Sequence, residues 1–408
     1  MRGSTWQGWL CLFPIAAGAV GCASYRTRTG TDQSTNAVAN VYVETSPNAW
    51  EADPSIKPSI VAFNAGLDGK LTQVQTLNLS EALMIGQGGM VFTSDYRSRA
   101  IHRYAIAQDG SLRGPVSTLY PAQYDTTGCG APTGHGMLDP GGTYLSVELE
   151  DYDKNCDVWQ TYRLDDNGPY RFLGEDSSNL WYWRDGGVGM GFPGVSPMSK
   201  DGKFAYASGG DSGGSFLVAM KRDASGVLRI WKSFTWPYDT QYQWQPGGAL
   251  IGANNELVVP MHGITNANWN DAALASFTVD ARTGDLQEIS TYDNMPKVSF
   301  EATGVAFSPQ GDIIAIAGDG VLQTFTFQND GPATPSATAQ LPPGQWPNGM
   351  LWDSSHHLYL LTQTSLKQPA IAQFSLFVFT AADGLLTPAP GSPWNVPNAN
   401  VLLVVPKG

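Results

Sequence analysis

Charge is scarce in this chain. Only 14% of its 408 residues are Asp, Glu, Lys or Arg, and together they leave a net charge of −13. No run of Lys or Arg occurs, which argues against a nucleic-acid backbone or an anionic membrane surface as a partner. Cysteine is equally sparse, at four residues: Cys11, Cys22, Cys129 and Cys156. No HExxH, GxSxG, phosphate-binding loop or paired CxxC is present, so zinc hydrolysis, a serine nucleophile elbow and nucleotide binding have no support, and no cofactor is expected. The apolar stretch Leu10 to Val20 has 11 residues, too short to cross a bilayer's hydrocarbon core. What is abundant is turn and strand material: 46 Gly, 27 Pro and 11% aromatics, the composition of an all-β protein.

The short apolar stretch instead makes residues 1–22 an export signal, with Arg2 as its only charge. Ala19-Val20-Gly21-Cys22 is similar to a bacterial lipoprotein box, which predicts a lipid anchor on Cys22; a plain signal peptide with an incidental cysteine is the alternative. Residues 23–39 are polar and read as a flexible tether, leaving 40–408 as one folded domain. Export places that domain on the periplasmic side of a bacterial membrane or outside the cell, touching membrane only through the anchor. A monomer is expected. Cys129 and Cys156 are then the only cysteines of the mature fold, and an oxidising compartment would bridge them; two buried free thiols are the alternative.

The domain is repetitive. An apolar strand followed by a Gly-containing turn and another apolar residue recurs seven times: Ile60 to Leu71, Ile101 to Leu112, Val158 to Tyr170, Phe216 to Leu228, Ala273 to Leu286, Val321 to Ala333, and Phe374 to Leu386. Six copies are preceded by a strand, a polar turn and an alternating strand, starting at Gly88, Gly134, Gly194, Gly247, Thr303 and Asn348. In the clearest copy, Gly134 to Phe172, the strands are expected at Met137 to Asp139, Thr143 to Glu150, Val158 to Leu164, and from Tyr170. A unit of this kind is a four-stranded antiparallel blade, and copies stacked radially make a propeller. The first copy starts directly at Asn40 to Glu44 and lacks an inner strand, whereas Val401 to Val405 is a spare one. The pattern therefore predicts a seven-bladed β-propeller closed by its C-terminal strand.

Long connections, such as Glu44 to Pro58, Tyr120 to Thr133, Asp176 to Pro193, Trp236 to Pro246 and Tyr292 to Ala302, emerge on one side, around the mouth of the central channel. Aligning the blades puts Gly89, His135, Val195, Gly248, Gly304 and Gly349 at the heads of the inner strands. Only His135 is titratable. It is expected to share the top face with Glu148 or Glu150, and with Asp151, His262 and Glu301. A His beside a carboxylate is a general base for water; a channel His that only hydrogen-bonds a loop is the plainer reading. Trp181, Tyr182, Trp183, Trp236, Tyr238, Tyr242, Trp244, Trp269 and Trp346 crowd the same side, either to stack on a ligand or to pin the loops. Asp151, Asp153, Asn155 and Asp157 alternate like calcium ligands. Cys156 stands where such a loop needs Gly, however, and Tyr162 where it needs Glu, which favours a solvated acidic turn and no metal. Glu150 and Glu301 are the one carboxylate pair a glycosidase reading could use.

The wording xxFxVxxxTGxL at Phe277 to Leu286, with the tail Leu386-Thr387-Pro388-Ala389-Pro390-Gly391-Ser392-Pro393 and Val396-Pro397, resembles the bacterial lactonase-like seven-bladed propellers, the group that includes 6-phosphogluconolactonase, carboxymuconate cyclases and YVTN-type repeats. The resemblance spans residues 40–408. It implies a lactone hydrolase or cyclase, with His135 as base and Glu150 keeping the His-to-Glu spacing. The family's Arg-His pair in blade four is replaced by Gly194-Val195, and its downstream Glu by Gly209-Gly210. An anionic substrate would then need another cation, for which Arg97, Arg99 and Arg184 are candidates. The expected partner is a small lactone; the alternative is a non-catalytic envelope propeller binding a glycan, peptide or protein through its aromatic rim, with Arg97, Arg184, Trp183, Trp244, His262, Trp269, Glu301 and Trp346 as candidate contacts.

Overall fold

The glycine turn after each third strand is the most constant part of the repeat, and packing explains it. In the structure, a computed structural model, several of these glycines have positive φ and rest against the preceding blade. Gly110 (φ 82°) sits beneath Asn40 and Asn64, and its carbonyl accepts a hydrogen bond from the Tyr42 hydroxyl at 3.0 Å. Gly284 (φ 75°) lies on Phe204 and accepts from Tyr206 at 2.9 Å. Gly226 and Gly69 repeat the contact on Tyr144 and His357. An L side chain there would be strained and would collide. The aspartate opening these turns caps them: Asp109 accepts the Ser111 N–H at 3.0 Å, Asp223 the Ser225 N–H at 2.8 Å, and Asp280 the Arg282 N–H at 2.8 Å.

The structure describes residues 37–407 except 46–57, 80, 96, 130, 152–155, 166–169, 177–187, 190–197, 212–213, 236–243, 247–248, 253–254, 264–271, 289–296, 299–301, 319, 327–332, 365–372 and 383–384. For some strand residues, including 131–135, 150–151, 156–157, 244–246, 261–263 and 302–303, it describes the backbone alone.

Seven antiparallel sheets follow one another along the chain and form a seven-bladed β-propeller. Blade 1 contains Ala37–Thr45, Ser59–Gly66 and Leu71–Leu77, and its innermost strand is the C-terminal Ala399–Pro406. Asn40 pairs with Val405 and Glu44 with Val401, so chain start and chain end zip together and the ring has no open edge. Blade 2 is Ala82–Gln87, Met90–Asp95, Ala100–Ile106 and Leu112–Leu119. Blade 3 is Ala131–Leu138, Tyr144–Asp151, Cys156–Arg163 and Arg171–Asp176. Blade 4 runs through Val188–Gly189, Phe204–Asp211, Gly214–Arg222 and Leu228–Thr235. Blade 5 has its central pair at Glu256–Gly263 and Ala272–Val279, with shorter strands at Trp244–Pro246, Leu250–Ile251, Leu286–Glu288 and Lys297–Val298. Blade 6 is Ala302–Phe307, Ile313–Gly318, Val321–Thr326 and Thr334–Gln340. Blade 7 is Trp346–Trp352, His357–Gln363, Phe374–Ala382 and Leu385–Pro388, with Trp394–Asn395 alongside.

Apolar side chains alternate between the two faces of each blade and meet those of its neighbours. Tyr42, Ile60, Leu83, Tyr104 and Leu403 fill the seam between blades 1 and 2; Ile85, Phe92, Leu145, Val147 and Tyr162 fill the next. Each fully buried side chain of this size contributes about 1.5–3 kcal/mol. Trp352 also crosses a seam, donating its indole N–H to the Ala306 carbonyl at 3.2 Å. At the bottom of blade 7, fully buried Asp353 binds His357 Nδ1 at 2.8 Å and the Tyr359 hydroxyl at 2.7 Å, fixing the turn from first to second strand.

Two local expectations change. Met90–Asp95 is the second strand of blade 2, not the first; the inner strand is Ala82–Gln87, upstream of the Gly88-Gly89 turn. Gly89 therefore lies at the bottom of the blade, away from the channel mouth. The alternation in Met90–Asp95 fits either strand, and the inner strand lacked the Gly start of its equivalents. In blade 3 the inner strand begins at Ala131, well before Met137, and takes His135 into the sheet.

Candidate functional site

The channel mouth is built from a repeated irregularity of the inner strands. In blade 1 the pairs Glu44–Val401 and Thr45–Ala399 leave Asn400 as an extra residue. Met84 is extra in blade 2, Thr303 in blade 6 and Asn348 in blade 7. Each is a β-bulge near the top of its strand, which bends the strand and re-aims the local side chains. In blades 2, 6 and 7 a glycine follows within two residues, as Gly136 does in blade 3, and a Cβ would press on the neighbouring blade at Gly86 (on Val405 and Leu403), Gly136 (on Met84) and Gly349 (on Leu402). The glycines thus let adjacent inner strands approach closely, and the bulges sit just above that constriction.

Blade 3 departs from this pattern. Pro132 pairs with Leu149 and Gly136 with Val147, so Thr133, Gly134 and His135 together oppose the single residue Glu148. The bulge carries two extra residues, one more than in the other four described blades. His135 occupies its last position, equivalent to Thr303 and Asn348 rather than to Gly304 and Gly349. Glu148 is buried, 4% exposed. Glu150 pairs with Ala131, one step farther up the strand. Register thus puts the Glu148 backbone opposite the bulge, while the side chains of His135 and Glu150 lie outside the described residues.

The surroundings of that bulge are tied down. Asp125 accepts from the Thr127 and Gly128 N–H groups at 2.8 and 3.0 Å, closing the loop that enters the strand. Tyr124 stacks on Phe172 with ring centroids 4.7 Å apart. Cys129 is disulfide-bonded and packs on Leu149 and Val158, next to the strand that begins at Cys156. Gln160, fully buried, donates to Glu175 at 3.2 Å, and Glu175 accepts from the Thr126 N–H at 3.3 Å.

Arg97 and Arg99 are exposed at the top of neighbouring blade 2, and neither has an ion-pair partner among the described residues. The Arg97 N–H bonds Asp95 at 2.9 Å, and Arg99 holds a left-handed conformation, φ 55°. Asp95 is held below its ordinary value: partial burial opposes this, but hydrogen bonds from Ser98 and the Arg97 and Ser98 N–H groups prevail, helped by His102.

A second His–carboxylate arrangement went unnoticed in the sequence. Glu81 lies 3.9 Å from His102 Nε2, accepts from Tyr104 at 3.1 Å, and accepts a further bond from Thr93. His102 Nδ1 contacts the Thr118 hydroxyl at 3.0 Å. Burial, then the Glu81 charge, drive the Tyr104 hydroxyl upward, so it stays a donor. With its carboxylate committed to hydroxyls of the second and third strands, Glu81 ties the strands of blade 2 together. Thr93 and His102 are directly paired across strands, the one signal that could have pointed to the cluster.

The other candidates are scattered or undescribed. Trp346 is half-buried at the head of the blade 7 inner strand, paired with Gln363. His262 pairs with Gln245 and Ala272, and Trp244 with Gly263, as backbone positions only. Asp151 and Asp157 are paired with Cys156 and Glu150 at a hairpin end. Cys22, Asp153, Asn155, Trp181, Tyr182, Trp183, Arg184, Val195, Trp236, Tyr238, Tyr242, Gly248, Trp269 and Glu301 lie outside the described residues. Among the described residues no three His, Cys, Asp or Glu side chains form a metal-holding group.

No family model and no curated protein matches the chain. Solved structures do. A Bacteroides uniformis protein provisionally named a 6-phosphogluconolactonase is 14% identical with a TM-score of 0.58, the match covering 90% of this chain and 99% of that one. The periplasmic gluconolactonase of Pseudomonas aeruginosa is 18% identical with a TM-score of 0.50, covering 74% and 83%. A hypothetical selenium-binding protein of Sulfolobus tokodaii is only 7% identical yet reaches a TM-score of 0.61 over 91% and 94%. Identities this low speak for architecture alone. The chain is a seven-bladed β-propeller, with 6-phosphogluconolactonase-like and gluconolactonase proteins among its structural neighbours.

Proposed function

We propose that the chain is a lactone hydrolase of the cell envelope, exported and anchored through Cys22, with its reaction at the top mouth of the channel. The observation that carries this reading is the enlarged bulge of blade 3, which brings His135 to the inner-strand position that Thr303 and Asn348 hold in other blades. His135 takes a proton from water as the oxygen attacks the lactone carbonyl. The ring C–O bond then breaks, and the leaving alkoxide recovers the proton from the imidazolium, giving the hydroxy acid. Glu148 or Glu150 orients the imidazole, and Arg97, exposed and without an ion-pair partner among the described residues, holds the substrate's carboxylate or phosphate. The lactonase-like neighbours and the family wording at Phe277 to Leu286 point the same way.

A second reading has its own observation. Gly194-Val195 and Gly209-Gly210 replace the charged set expected in blade 4. A propeller that binds a glycan or peptide at its rim, through Trp346 and the exposed Tyr120, needs no such set. Assay of γ- and δ-lactones, phosphorylated and not, with wild type and His135→Ala separates the two.

A further inference from the structure

The opposite mouth of the channel holds a cavity of about 370 Å³, within the range of small-molecule sites. Four blades contribute, through the ends of their first strands and the turns that follow them. Met198, Leu250, Ile251, Phe307 and Leu351 make an apolar wall. Its polar groups are already used: the Ser308 hydroxyl donates to Asp312 at 2.7 Å and accepts the Ile313 N–H at 3.1 Å, and the Gly252 N–H bonds the Glu256 carbonyl at 2.7 Å. One charge remains at the rim, the exposed ammonium of Lys200.

Lys200 is the exception in a cationic part of an acidic chain. Residues 198–235 carry six Lys or Arg against three Asp, a local balance of +3 in a molecule of −13. The other five cations are engaged. Lys203 pairs with Asp201 at 2.7 Å, Arg229 with Asp223 at 2.8 Å and Lys232 with Asp285 at 2.6 Å. Arg222 lies 4.4 Å over the Tyr144 ring and Lys221 5.6 Å over Trp231. Asp201, the carboxylate next in sequence to Lys200, is taken by Lys203 and by the Ser199 hydroxyl at 2.8 Å. Among the described residues Lys200 has no partner.

From this juxtaposition we infer that the bottom cavity binds an amphipathic monocarboxylate, such as a medium-chain fatty acid. Its tail covers the apolar wall and its carboxylate meets Lys200. The site lies across the channel from the lactone site and does not depend on it. A neutral alcohol of equal length loses the ion pair, a cationic amine is repelled, and acetate lacks the apolar contact.

Calorimetric titration with decanoate, decanol, decylammonium and acetate tests this on the intact mature chain. Saturable decanoate binding is expected, tighter than for the other three. Lys200→Ala weakens decanoate about fivefold and leaves decanol unchanged, whereas Lys200→Arg retains decanoate. Lys200 is exposed, so its variants keep the fold. Ile251→Trp, which fills the cavity from a half-buried position, weakens both ligands. Decanoate binding that ignores Lys200, or that is no tighter than decanol or acetate binding, overturns the inference, as does a lack of saturable binding by a folded protein.

Discussion

Asn348, the bulge residue of blade 7, donates its side-chain N–H to the main-chain oxygen of Asn400, the bulge residue of blade 1, at 3.1 Å. The two lie 52 positions apart in sequence and on neighbouring inner strands, and their bond joins the bulges at the mouth. Asn348→Ala is expected to lower unfolding free energy by about 1 kcal/mol in urea titration. Asn348→Asp, which sets a carboxylate against a carbonyl oxygen, costs more at neutral pH than the alanine variant.

Turn glycines at blade seams differ in importance from those facing open space. Gly142 (φ 66°) has nothing near a would-be Cβ, whereas a Cβ on Gly284 (φ 75°) would collide with the Phe204 ring. Gly142→Ala therefore carries only the left-handed penalty of about 1–2 kcal/mol. Gly284→Ala adds an overpacking cost of about 1–3 kcal/mol. Chemical denaturation of the two variants should show this order, and equal losses would mean that the seam yields.

The Asp353 cluster gives the fold a pH dependence. Burial works to raise this carboxyl, but hydrogen bonds and charge from His357, with the Tyr359 hydroxyl, hold it below its ordinary 3.8. A carboxyl lowered on folding stabilises the protein fully above its unfolded value and loses that contribution as pH falls through its folded one. Denaturation midpoints measured downward from pH 5 should fall steeply for wild type. Asp353→Asn should be less stable at pH 5 and flatter below pH 4.

The disulfide at Cys129 is proposed to run to Cys156, the only other cysteine of residues 40–408. Cys156→Ser should expose one titratable thiol per unfolded chain and cost about 2–4 kcal/mol. Residues 40–408 of wild type should show none without reductant.

Much of the architecture was legible because it rests on local chemistry. The turn glycines and aspartates repeat because each blade must present a left-handed turn to its neighbour, and this repetition marks seven blades. The spare strand Val401 to Val405 pairs with Asn40 to Glu44 as its alternation requires. The inner strand of blade 2 was missed because Ala82–Gln87 lacks the starting glycine of its equivalents. The site was harder to read. Bulges are set by pairing between strands, so residue spacing alone placed Gly304 and Gly349 where Thr303 and Asn348 belong. The Glu81 clasp was invisible because Glu81, Thr93, His102 and Thr118 come together only when four strands align.

Arg97 as substrate anchor predicts selective loss. Arg97→Ala should raise KM for phosphorylated lactones about tenfold and leave that for neutral lactones unchanged, with stability intact because the side chain is exposed.

The central claim is that His135 is a general base at the mouth, and proton release during lactone hydrolysis by wild type and His135→Ala tests it most directly. The account predicts measurable wild-type turnover on at least one γ- or δ-lactone, reduced about 10²- to 10⁴-fold in a folded His135→Ala protein. Turnover unchanged by the substitution, or none from folded wild type on any lactone, would contradict it and leave the propeller as a binding module.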